Sequence, residues 1–469
     1  MDLKLYNTLT REKEEFKPLE EGKVKMYSCG QTIYDDLHIG NARPYVVWDT
    51  LRRYLEWKDY TVRHVQNITD VGHLTDDGDQ GEDKVEKRAK ELDLEPMELV
   101  ESQIERYFED SRSINVERQD IVPRATGHIN EMITYIQKIM ENGYAYEVDG
   151  NVYFDMDAFI EDYEYGDMAR KDIEQLKEEA ESRVEPDENK KNQYDFALWI
   201  NAEGTGHLMK WESPWSTGYP GWHLECSVMS QKYLGDEFDI HAGGKDHIFP
   251  HHPNERAQCL AATDKGQARY WLHNEFIHWE GEKMSKSKGN FVTVRDLLED
   301  FPGEVIRFYL VSFHYRTEAD FTREGLEKAE KEYKRVKRVL KRLEKQGTDQ
   351  GEEFEELEKR FEQEMDDDLN TARAKNVLME IVGEINKALD ERKDVQSSVA
   401  ERIKQLFQVL GITFEKDAET ESELAEILLE LREKAREKQD YETSDYIRDR
   451  LKDLGFEIED SEEGAFWIR

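Results

Sequence analysis

Residues 22–66 follow the order strand, turn, helix, strand, and this order limits the fold more than any other feature of the sequence. GKVKMYS at 22–28 predicts the first strand, and the turn begins at Cys29. Apolar residues then recur at helical spacing up to Trp57, and residues 60–66 alternate as a strand does. Such a βαβ unit implies a parallel sheet whose ligand site lies beyond the carboxyl ends of the strands. We therefore expect an α/β fold.

The middle of the chain predicts a second domain inserted into this sheet. Residues 83–145 are polar and helical, whereas 146–220 mix short strands such as 151–154 with charged stretches and loops. Sheet character returns at 238–241 and again near 275–279. This pattern indicates an insertion between two halves of a nucleotide-binding fold.

The last third of the chain predicts mostly helices. After Pro302 the pattern is helical to about residue 408, interrupted by a polar linker at 347–353. Residues 411–469 predict two helices followed by a small strand-and-turn cap. With 469 residues in total and roughly 150 residues per domain, about three domains are expected.

The charge of the chain excludes several classes of protein. Asp and Glu outnumber Lys and Arg by 106 to 66, a formal charge of −40, so any RNA must be bound through local basic patches and contacts to bases. The excess negative charges repel one another, and molar salt screens this repulsion. The composition therefore favours a host with a salty interior. There is no apolar signal segment and no stretch approaching roughly 18 apolar residues, so we expect no membrane anchor. Three cysteines are too few for a disulfide framework and indicate thiols in a reducing cytoplasm.

One group of residues has the composition of a metal site. His251 and Glu255 stand four residues apart at the start of a predicted helix, so they share a face and suit one ion. Zinc prefers nitrogen and sulfur ligands with an occasional carboxylate, and Cys29 and Cys226 are candidates to complete the set. Cys259 lies eight residues after His251 on the same face and competes with them. Buried apolar cysteines beside a helix-capping histidine are the alternative from spacing alone.

Three further segments suit a nucleotide. The residues 38–41, HIGN, lie where a strand leads into a helix, and a helix N-terminus favours phosphate. Gly243 and Gly244 follow a predicted strand and permit close approach of a ligand to the backbone. Taken singly, these are also ordinary helix-start and turn residues. The three lysines within 283–288 are less ordinary in so acidic a chain and indicate an anion site.

Together these segments resemble class I aminoacyl-tRNA synthetases. HIGN is similar to the HIGH signature, and KMSKS at 283–287 matches the second signature. Further segments resemble the cysteinyl-tRNA synthetase family: YSCGQTIYDDLHIGNARPYVV, NITDV, PGWHLECSVMS, FDIHAGGKDHIFPHHPNE, EKMSKSKGNFVTVRDLL and DYIRDRLKDLGFEIEDSEEGAFWIR. The similarity runs from about residue 3 to 469. It implies a Rossmann-type catalytic domain at 1–115 and 222–300, an inserted connective domain at 116–221, a stem-contact region with a helical bundle at 301–410, and a C-terminal α+β anticodon-binding domain at 411–469.

The resemblance implies a reaction and its cofactors. ATP, accompanied by Mg²⁺, would activate L-cysteine as cysteinyl-adenylate, and the cysteinyl group would pass to the terminal adenosine of tRNA(Cys). One zinc ion per chain would select the cysteine thiolate, because a pocket that relies on shape rejects serine poorly. The insert would then help to hold the acceptor end rather than remove errors. We expect a cytoplasmic monomer.

The resemblance also assigns roles to individual residues. It places the zinc on Cys29, Cys226, His251 and Glu255, which sets Cys259 aside. The other implied positions are His38 and Asn41 at the ATP phosphates, with Lys283 and Lys286 closing over them; Trp222, His223 and His252 near the amino-acid pocket; Gly243, Gly244 and Asp246 at the adenosine or amino group; and Thr32 and Gly40 in the same substrate site.

The chain departs from the family pattern at three places. Asn41 replaces the second histidine of HIGH, so it can donate a hydrogen bond but cannot carry a charge. Pro253 stands in HHPNE at a position that is not a ligand. The segment GHLTDDGDQGEDK at 72–84 is longer than the expected DDK run, and its role stays open.

RNA contacts are predicted in two regions. Residues 328–345 hold nine Lys or Arg against three Glu, and Lys334 and Arg338 share one helical face. That face suits either solvent or the tRNA backbone, and both readings stay open. In the last domain, the groups suited to unpaired anticodon bases are Arg448, Asp449, Asp460 and Trp467.

Two other functions share most of these features. A ligase that joins cysteine to an aminosugar would use the same zinc site and signatures, but it has no need of an anticodon reader at 411–469. A catalytically inactive paralogue that binds zinc or RNA is disfavoured by the intact His38, Lys286 and metal ligands.

Overall fold

A computed structural model describes residues 2–71, 74, 82–169, 174–175, 177, 187–284, 291–354, 356–414, 419–453, 456–461 and 464–468. The chain divides into two compact units. The first unit comprises Met1–Asp300, Phe313–Phe321 and Met365–Asn370, and the second comprises Phe301–Ser312, Thr322–Glu364 and Thr371–Arg469. No helix within the described ranges is long and apolar enough to cross a bilayer.

The first unit contains fourteen strands and eight α-helices among its described residues. The strands are β1 Lys4–Asn7, β2 Glu12–Glu15, β3 Lys23–Ser28, β4 Thr61–Gln66, β5 Ala145–Val148, β6 Asn151–Phe154, β7 Phe196–Asn201, β8 Trp211–Glu212, β9 Thr217–Pro220, β10 Glu237–Gly244, β11 Gln267–Asn274, β12 Ile277–Trp279, β13 Glu282–Lys283 and β14 Ala319–Phe321. The helices are α1 Ile39–Trp57, α2 Lys84–Glu91, α3 Pro96–Ser113, α4 Ile129–Glu141, α5 Met156–Asp162, α6 Leu224–Leu234, α7 His251–Thr263 and α8 Val294–Leu298.

A four-stranded sheet in the order β11-β10-β3-β4 forms the centre of this unit. All three pairings are parallel, with Met26 of β3 opposite both His64 of β4 and Ile240 of β10. Helix α1 connects β3 to β4, as the sequence pattern predicts. The expected α/β fold with a parallel sheet is therefore confirmed, and the carboxyl ends of its strands lie at one edge.

Strands β11 and β14 of the first unit are among those that were not predicted from the sequence. The pattern near 275–279 locates β12, but the longer β11 precedes it. Strand β11 lacks a clear apolar pattern because it buries the polar residues Gln267, His273 and Asn274. Strand β14, which pairs with β12, lies in a region that the sequence predicts to be helical.

The inserted region contains a separate antiparallel sheet. Five strands follow the order β5-β6-β7-β9-β8, and β6 coincides with the predicted strand at 151–154. A small cluster of buried Leu74, Ala202 and Tyr219 packs beside this sheet. The insertion is thus a strand-rich element between α4 and α6, while the exact limits of 116–221 stay a prediction.

Arg43 holds the amino-terminal part of α1 against the chain that follows β11. Its side chain is 1% exposed and donates hydrogen bonds to four backbone carbonyl oxygens. These oxygens belong to Glu275, Phe276, His314 and Thr317, at 2.5–3.0 Å. Because a buried guanidinium needs such partners, this arrangement fixes the position of the HIGN turn relative to the sheet.

The second unit is helical with a terminal hairpin. Its elements are α9 Gly303–Leu310, α10 Arg323–Gln346, α11 Leu357–Met365, α12 Thr371–Asp390, α13 Ser398–Val409, α14 Glu419–Glu437, α15 Tyr441–Asp453, β15 Glu457–Ser461 and β16 Gly464–Ile468. Helix α10 buries one apolar stripe, including Val336 and Leu340, as its spacing predicts. The two helices predicted for 411–469 are present as α14 and α15, and the predicted strand-and-turn cap is the β15-β16 hairpin.

Candidate active site and metal centre

The carboxyl ends of three parallel strands converge on one cavity. Cys29 follows β3, Gly243 and Gly244 end β10, and Asn274 ends β11. All four residues line a cavity of about 470 Å³, which also reaches the amino-terminal end of α1. The predicted ligand position beyond the strand ends thus coincides with an actual cavity.

Cys29, Cys226, His251 and Glu255 form one buried cluster, and the first three of them line the cavity. Their ligand atoms all lie within 4.8 Å of one another. The two sulfur atoms are 3.8 Å apart, and Glu255 Oε1 lies 3.1 Å from His251 Nε2 and 3.8 Å from Cys29 Sγ. Four ligands at zinc bond lengths would be separated by about 3.3 to 3.8 Å, so two thiols, an imidazole and a carboxylate here suit a tetrahedral ion.

Outer hydrogen bonds hold the imidazole and the carboxylate of this cluster. Nδ1 of His251 lies 2.7 Å from Nδ1 of His223, which leaves Nε2 of His251 facing the cluster. Oε2 of Glu255 accepts hydrogen bonds from Nε2 of His241 at 2.8 Å and from Nε2 of Gln267 at 3.1 Å. Each group therefore presents its remaining atom to the cluster centre, which is the usual way in which proteins orient metal ligands.

The ionisable groups of the cluster strongly perturb one another. Burial alone would raise the pKa of Glu255, but the adjacent His241 and His251 lower it well below its usual range. Burial opposes protonation of His251, yet Glu255 and Cys226 raise its pKa to about 10 in the metal-free protein. The pKa of Cys226 falls to about 6 against the effect of burial, because Cys29 and His251 donate to its sulfur, whereas burial raises the pKa of Cys29.

Cys259 belongs to neither of the two possible ligand groups among the described residues. It is buried, and its sulfur accepts a hydrogen bond from Tyr135 Oη at 3.3 Å. The second group shares Cys29 and Glu255 but replaces the other two ligands by His241 and His252. The two groups share two of their four residues, and Cys259 is in neither of them.

The HIGN segment forms the amino-terminal end of α1 and part of the cavity wall. His38 is the N-cap residue, and Gly40 and Asn41 lie in the first turn. A Cβ atom at Gly40 would come within 2.8 Å of His38 Cε1 and 3.0 Å of Met284 Cε, so a larger residue there would require these side chains to shift. The amide groups of Asn41 and Ala42 donate to the carbonyl oxygen of His38, and that of Ile39 donates to Val292. The positive end of the α1 dipole nevertheless lies at this wall of the cavity and suits a phosphate.

The predicted glycine pair brings the backbone of β10 close to the cavity. A Cβ atom at Gly243 would lie 2.7 Å from His247 Nδ1 and 2.8 Å from His252 Cε1. At Gly244 it would lie 2.3 Å from Asp246 Oδ1. The side chain of Asp246 is 62% exposed and reaches into the open part of the cavity.

Trp222 and His223 lie beside the metal ligands. The ring of Trp222 is 4.5 Å from that of His251, and Trp222 lines the cavity. His252 approaches Cys29 Sγ to 3.3 Å through Nε2 and lies 2.8 Å from His273 through Nδ1. Thr32 lines the same cavity. Of these predicted substrate residues, Trp222 and Thr32 line the cavity, whereas His223 and His252 are buried beside the candidate ligands and do not line it.

The remaining predicted residues lie elsewhere. Lys283 ends β13 but its side chain is outside the description, and Lys286 lies outside the described residues. On α10, Nζ of Lys334 is 3.2 Å from Glu330, and Arg338 is half-buried. On α15, the side chains of Arg448 and Asp449 are exposed, whereas only the backbone of Asp460, in β15, is described.

The expectation for Trp467 needs correction. Its side chain is 4% exposed and packs in a cluster with Leu429, Leu451 and Phe456. Nζ of Lys341 lies 3.6 Å above its ring, which further covers it. A ring buried in this way stabilises the hairpin and is not available to stack on an unpaired base.

Comparison with known families identifies the chain. Residues 15–331 match the family described as the tRNA synthetases class I (C) catalytic domain, residues 360–415 match the DALR domain, and residues 421–467 match the cysteinyl-tRNA ligase anticodon binding domain. The chain belongs to the cysteinyl-tRNA synthetase family. It is 43% identical over 490 residues to the cysteine–tRNA ligase of Thermococcus onnurineus and 46% identical over 483 residues to that of Thermus thermophilus. Each comparison covers 100% of this chain and 99% of the relative.

Solved structures of other synthetases share the fold of this family member. Mycobacterium tuberculosis methionyl-tRNA synthetase in complex with methionyl-adenylate has a TM-score of 0.57 at 16% identity, covering 83% of this chain and 90% of that one. The ternary complex of Agrobacterium radiobacter LeuRS, tRNA and LeuAMS has a TM-score of 0.59 at 12% identity, covering 85% and 84%. These likenesses support the class I fold alone.

Several residues of this synthetase's cavity were missed from the sequence. Asn67 and Thr69 follow β4, where Asn67 Oδ1 accepts a hydrogen bond from Gly30 N and Thr69 donates one to Glu225. Their position after a parallel strand was the available signal. Lys84, at the start of α2, also lines the cavity, but nothing in its local pattern distinguishes it from other surface lysines.

Proposed function

We propose that this enzyme activates L-cysteine with ATP and Mg²⁺ and transfers the cysteinyl group to the 3′-terminal adenosine of tRNA(Cys). The observation that carries the proposal is the cluster of two thiols, an imidazole and a carboxylate beside the cavity at the sheet edge. A family member with this cluster and an anticodon-binding region has the parts for both steps. Its buried, unpaired thiols suit a cytoplasmic enzyme, and we propose that it acts as a monomer.

The four ligands fit zinc better than the other common biological cations. Mg²⁺ and Ca²⁺ take oxygen ligands, whereas sulfur and nitrogen donors at tetrahedral spacing suit zinc. The donor set is buried throughout and is supported by outer hydrogen bonds from His223 and His241. We therefore assign one zinc ion per chain to Cys29, Cys226, His251 and Glu255.

Selection of the amino acid would begin at this cluster. Zinc, when bound, supplies a strong preference for a thiolate over an alcohol, which is the difference between cysteine and serine. Trp222 lies against His251 and borders the side of the cavity in which the amino-acid side chain would lie. Asp246, exposed within the cavity, is placed to bind the substrate ammonium or the adenosine ribose.

Adenylate formation would then proceed at the amino-terminal end of α1. A carboxylate oxygen of cysteine attacks the α-phosphorus of ATP, a new P–O bond forms, and the bond to pyrophosphate breaks. Such phosphoryl chemistry depends chiefly on positioning and on stabilising the charge that develops on the phosphate oxygens. His38, Asn41 and the positive end of the α1 dipole would serve one side of the phosphates. Lys283 and Lys286 are assigned to the other side on the signature motif alone.

The second step joins cysteine to RNA. A ribose hydroxyl of the terminal adenosine attacks the carbonyl carbon of the adenylate, and AMP leaves. The strand-rich insert at 116–221 is proposed to hold the acceptor end. On α15 the exposed Arg448 and Asp449 are proposed to contact the anticodon, together with Asp460. Lys334 and Arg338 on α10 are proposed as contacts to the tRNA backbone.

A comparison of acceptors tests this proposal. The enzyme with zinc, ATP, Mg²⁺ and labelled cysteine is incubated with tRNA(Cys) or with an aminosugar, and the cysteinylated product is measured. We expect charging of tRNA(Cys) and none of the aminosugar, and the opposite result would overturn the proposal. His38→Ala should abolish charging. The matched change His278→Ala, at a residue paired with Glu318 outside the cavity, should leave charging unchanged.

A further inference from the structure

Gln267 has an unusual backbone conformation beside the metal centre. It is the first residue of β11, its side chain is 1% exposed, and its φ is +70°. A residue with a Cβ atom rarely adopts this left-handed region, and glycine is the usual choice there. Glycine in fact immediately precedes it, at Gly266. A non-glycine residue kept in this conformation points to a task for its side chain.

The side chain of Gln267 connects the two helices that carry metal ligands. Its Nε2 donates a hydrogen bond to Glu255 Oε2 on α7 at 3.1 Å and another to Ser230 Oγ on α6 at 3.0 Å. Cys226 lies one helical turn before Ser230 on α6. One buried amide group therefore uses both of its hydrogens on elements of the metal centre.

The orientation of this amide follows from its partners. An ionised carboxylate only accepts hydrogen bonds, so the group that faces Glu255 Oε2 must be the NH₂ and not the carbonyl oxygen. Among the described residues, Oε1 of Gln267 is buried without a hydrogen-bond partner, which is unfavourable. The amide oxygen therefore has no hydrogen-bond partner among the described residues, whereas the amide nitrogen makes both of its hydrogen bonds.

The two oxygens of Glu255 have different surroundings as a result. Oε2 is occupied by two donors, from His241 and Gln267. Oε1 faces His251 and Cys29, at the centre of the cluster. Loss of one of the two donors would leave the carboxylate freer to rotate about its last torsion, and either oxygen could then turn away from the ion.

We propose that Gln267 is a positioning residue for the metal ligand Glu255, holding Oε2 so that Oε1 is presented to the ion. This inference rests on the zinc site of the proposed function. Outer hydrogen bonds of this kind commonly change metal affinity by about ten- to a hundredfold when they are removed. Gln267 touches neither substrate nor ion, so its contribution is to zinc affinity and only through it to activity.

The test compares two buried glutamines. Gln267→Met keeps the length of the side chain but removes both hydrogens, and Gln258→Met makes the same change at a residue that is 0% exposed on α7. Neither polar side-chain atom of Gln258 has a partner among the described residues, so this variant controls for the loss of a buried amide. Zinc dissociation constants are measured by competition with a chromophoric chelator, and melting temperatures are measured on the metal-free proteins.

We expect Gln267→Met to weaken zinc binding by about tenfold or more and Gln258→Met to change it less than about twofold. Saturating zinc should restore the activity of Gln267→Met. If this variant does not fold, Ser230→Ala is a milder change, because it removes only the hydrogen bond from Gln267 Nε2 to Ser230 Oγ. We then expect zinc affinity to fall by a smaller factor. Zinc affinity within about twofold of the unchanged protein, with a lower melting temperature alone, would show a merely structural role. Failure of the unchanged protein to bind zinc would instead refute the proposed function.

Discussion

Gly243→Ala probes how closely the backbone of β10 must approach the cavity. The added methyl group would lie 2.7 Å from His247 Nδ1 and 2.8 Å from His252 Cε1, where ordinary contacts begin at 3.4 Å. The φ of Gly243 lies outside the left-handed region, so alanine fits the backbone and the whole effect arises from these contacts. His252 is fully buried and held between Cys29 and His273, so it cannot move without disturbing the metal centre.

The expected magnitude follows from this overlap. Relief requires a shift of about 0.7 Å, from 2.7 to 3.4 Å, by His247, which lines the cavity, and a similar shift by the fully buried His252. Overpacking of this kind costs about 1–3 kcal/mol in stability. A comparable loss in the binding of the reacting groups corresponds to roughly a ten- to hundredfold fall in kcat/KM, since about 1.4 kcal/mol is a factor of ten.

Cysteine-dependent exchange of pyrophosphate into ATP measures this loss directly. Gly127→Ala is the matched control, because a Cβ atom there meets nothing within 4 Å and its φ is also outside the left-handed region. We expect full exchange activity in the control and a kcat/KM at least about tenfold lower in Gly243→Ala. Exchange within about twofold of the unchanged enzyme would refute the argument that the β10 backbone and His252 define the site.

Three further predictions follow from the site and the second unit. Zinc affinity should rise from about pH 6 to about pH 8, because burial raises the pKa of Cys29 and the metal must displace that proton; equal affinities in a chelator competition at the two pH values would contradict this. Trp467→Ala should lower the free energy of unfolding of the C-terminal cluster by about 3–5 kcal/mol, measured by denaturant, without changing pyrophosphate exchange; a loss below about 1 kcal/mol would argue against its core position. Arg448→Ala should raise the KM for tRNA(Cys) while leaving exchange unchanged, whereas the exposed Arg373→Ala should alter neither; equal KM values for the two variants would remove Arg448 from the RNA contacts.

The sequence predicted the parts of the fold that have a regular apolar pattern. Strands β3 and β4 with α1 between them, and the helices of the second unit, repeat apolar residues at the spacing of their elements. Strand β11 does not, because three of its buried residues, Gln267, His273 and Asn274, are polar. The alternation of polar and apolar residues therefore could not have located β11.

The candidate site was predictable where its residues lie in short motifs. His251 and Glu255 share a helical face by their spacing. Spacing alone left Cys226 and Cys259 in competition, and only the family resemblance set Cys259 aside, because the position of Cys259 relative to the cluster depends on tertiary packing. For Trp467 the prediction of base stacking was wrong, because an aromatic residue in such a segment suits base stacking and core packing equally well. Its burial depends on packing against Leu429 and Leu451 of the preceding helices, and only the structure reveals it.

Amino-acid-dependent exchange of pyrophosphate into ATP, with cysteine and with serine, is the most direct test of zinc-based selection by this enzyme. It is run on the zinc-bound enzyme, after removal of zinc by a chelator, and after zinc is restored, at low salt and in molar salt because of the charge of −40. Exchange should occur with cysteine alone, disappear with the metal and return with it. Exchange with cysteine that continues undiminished in folded, zinc-free enzyme would contradict the account.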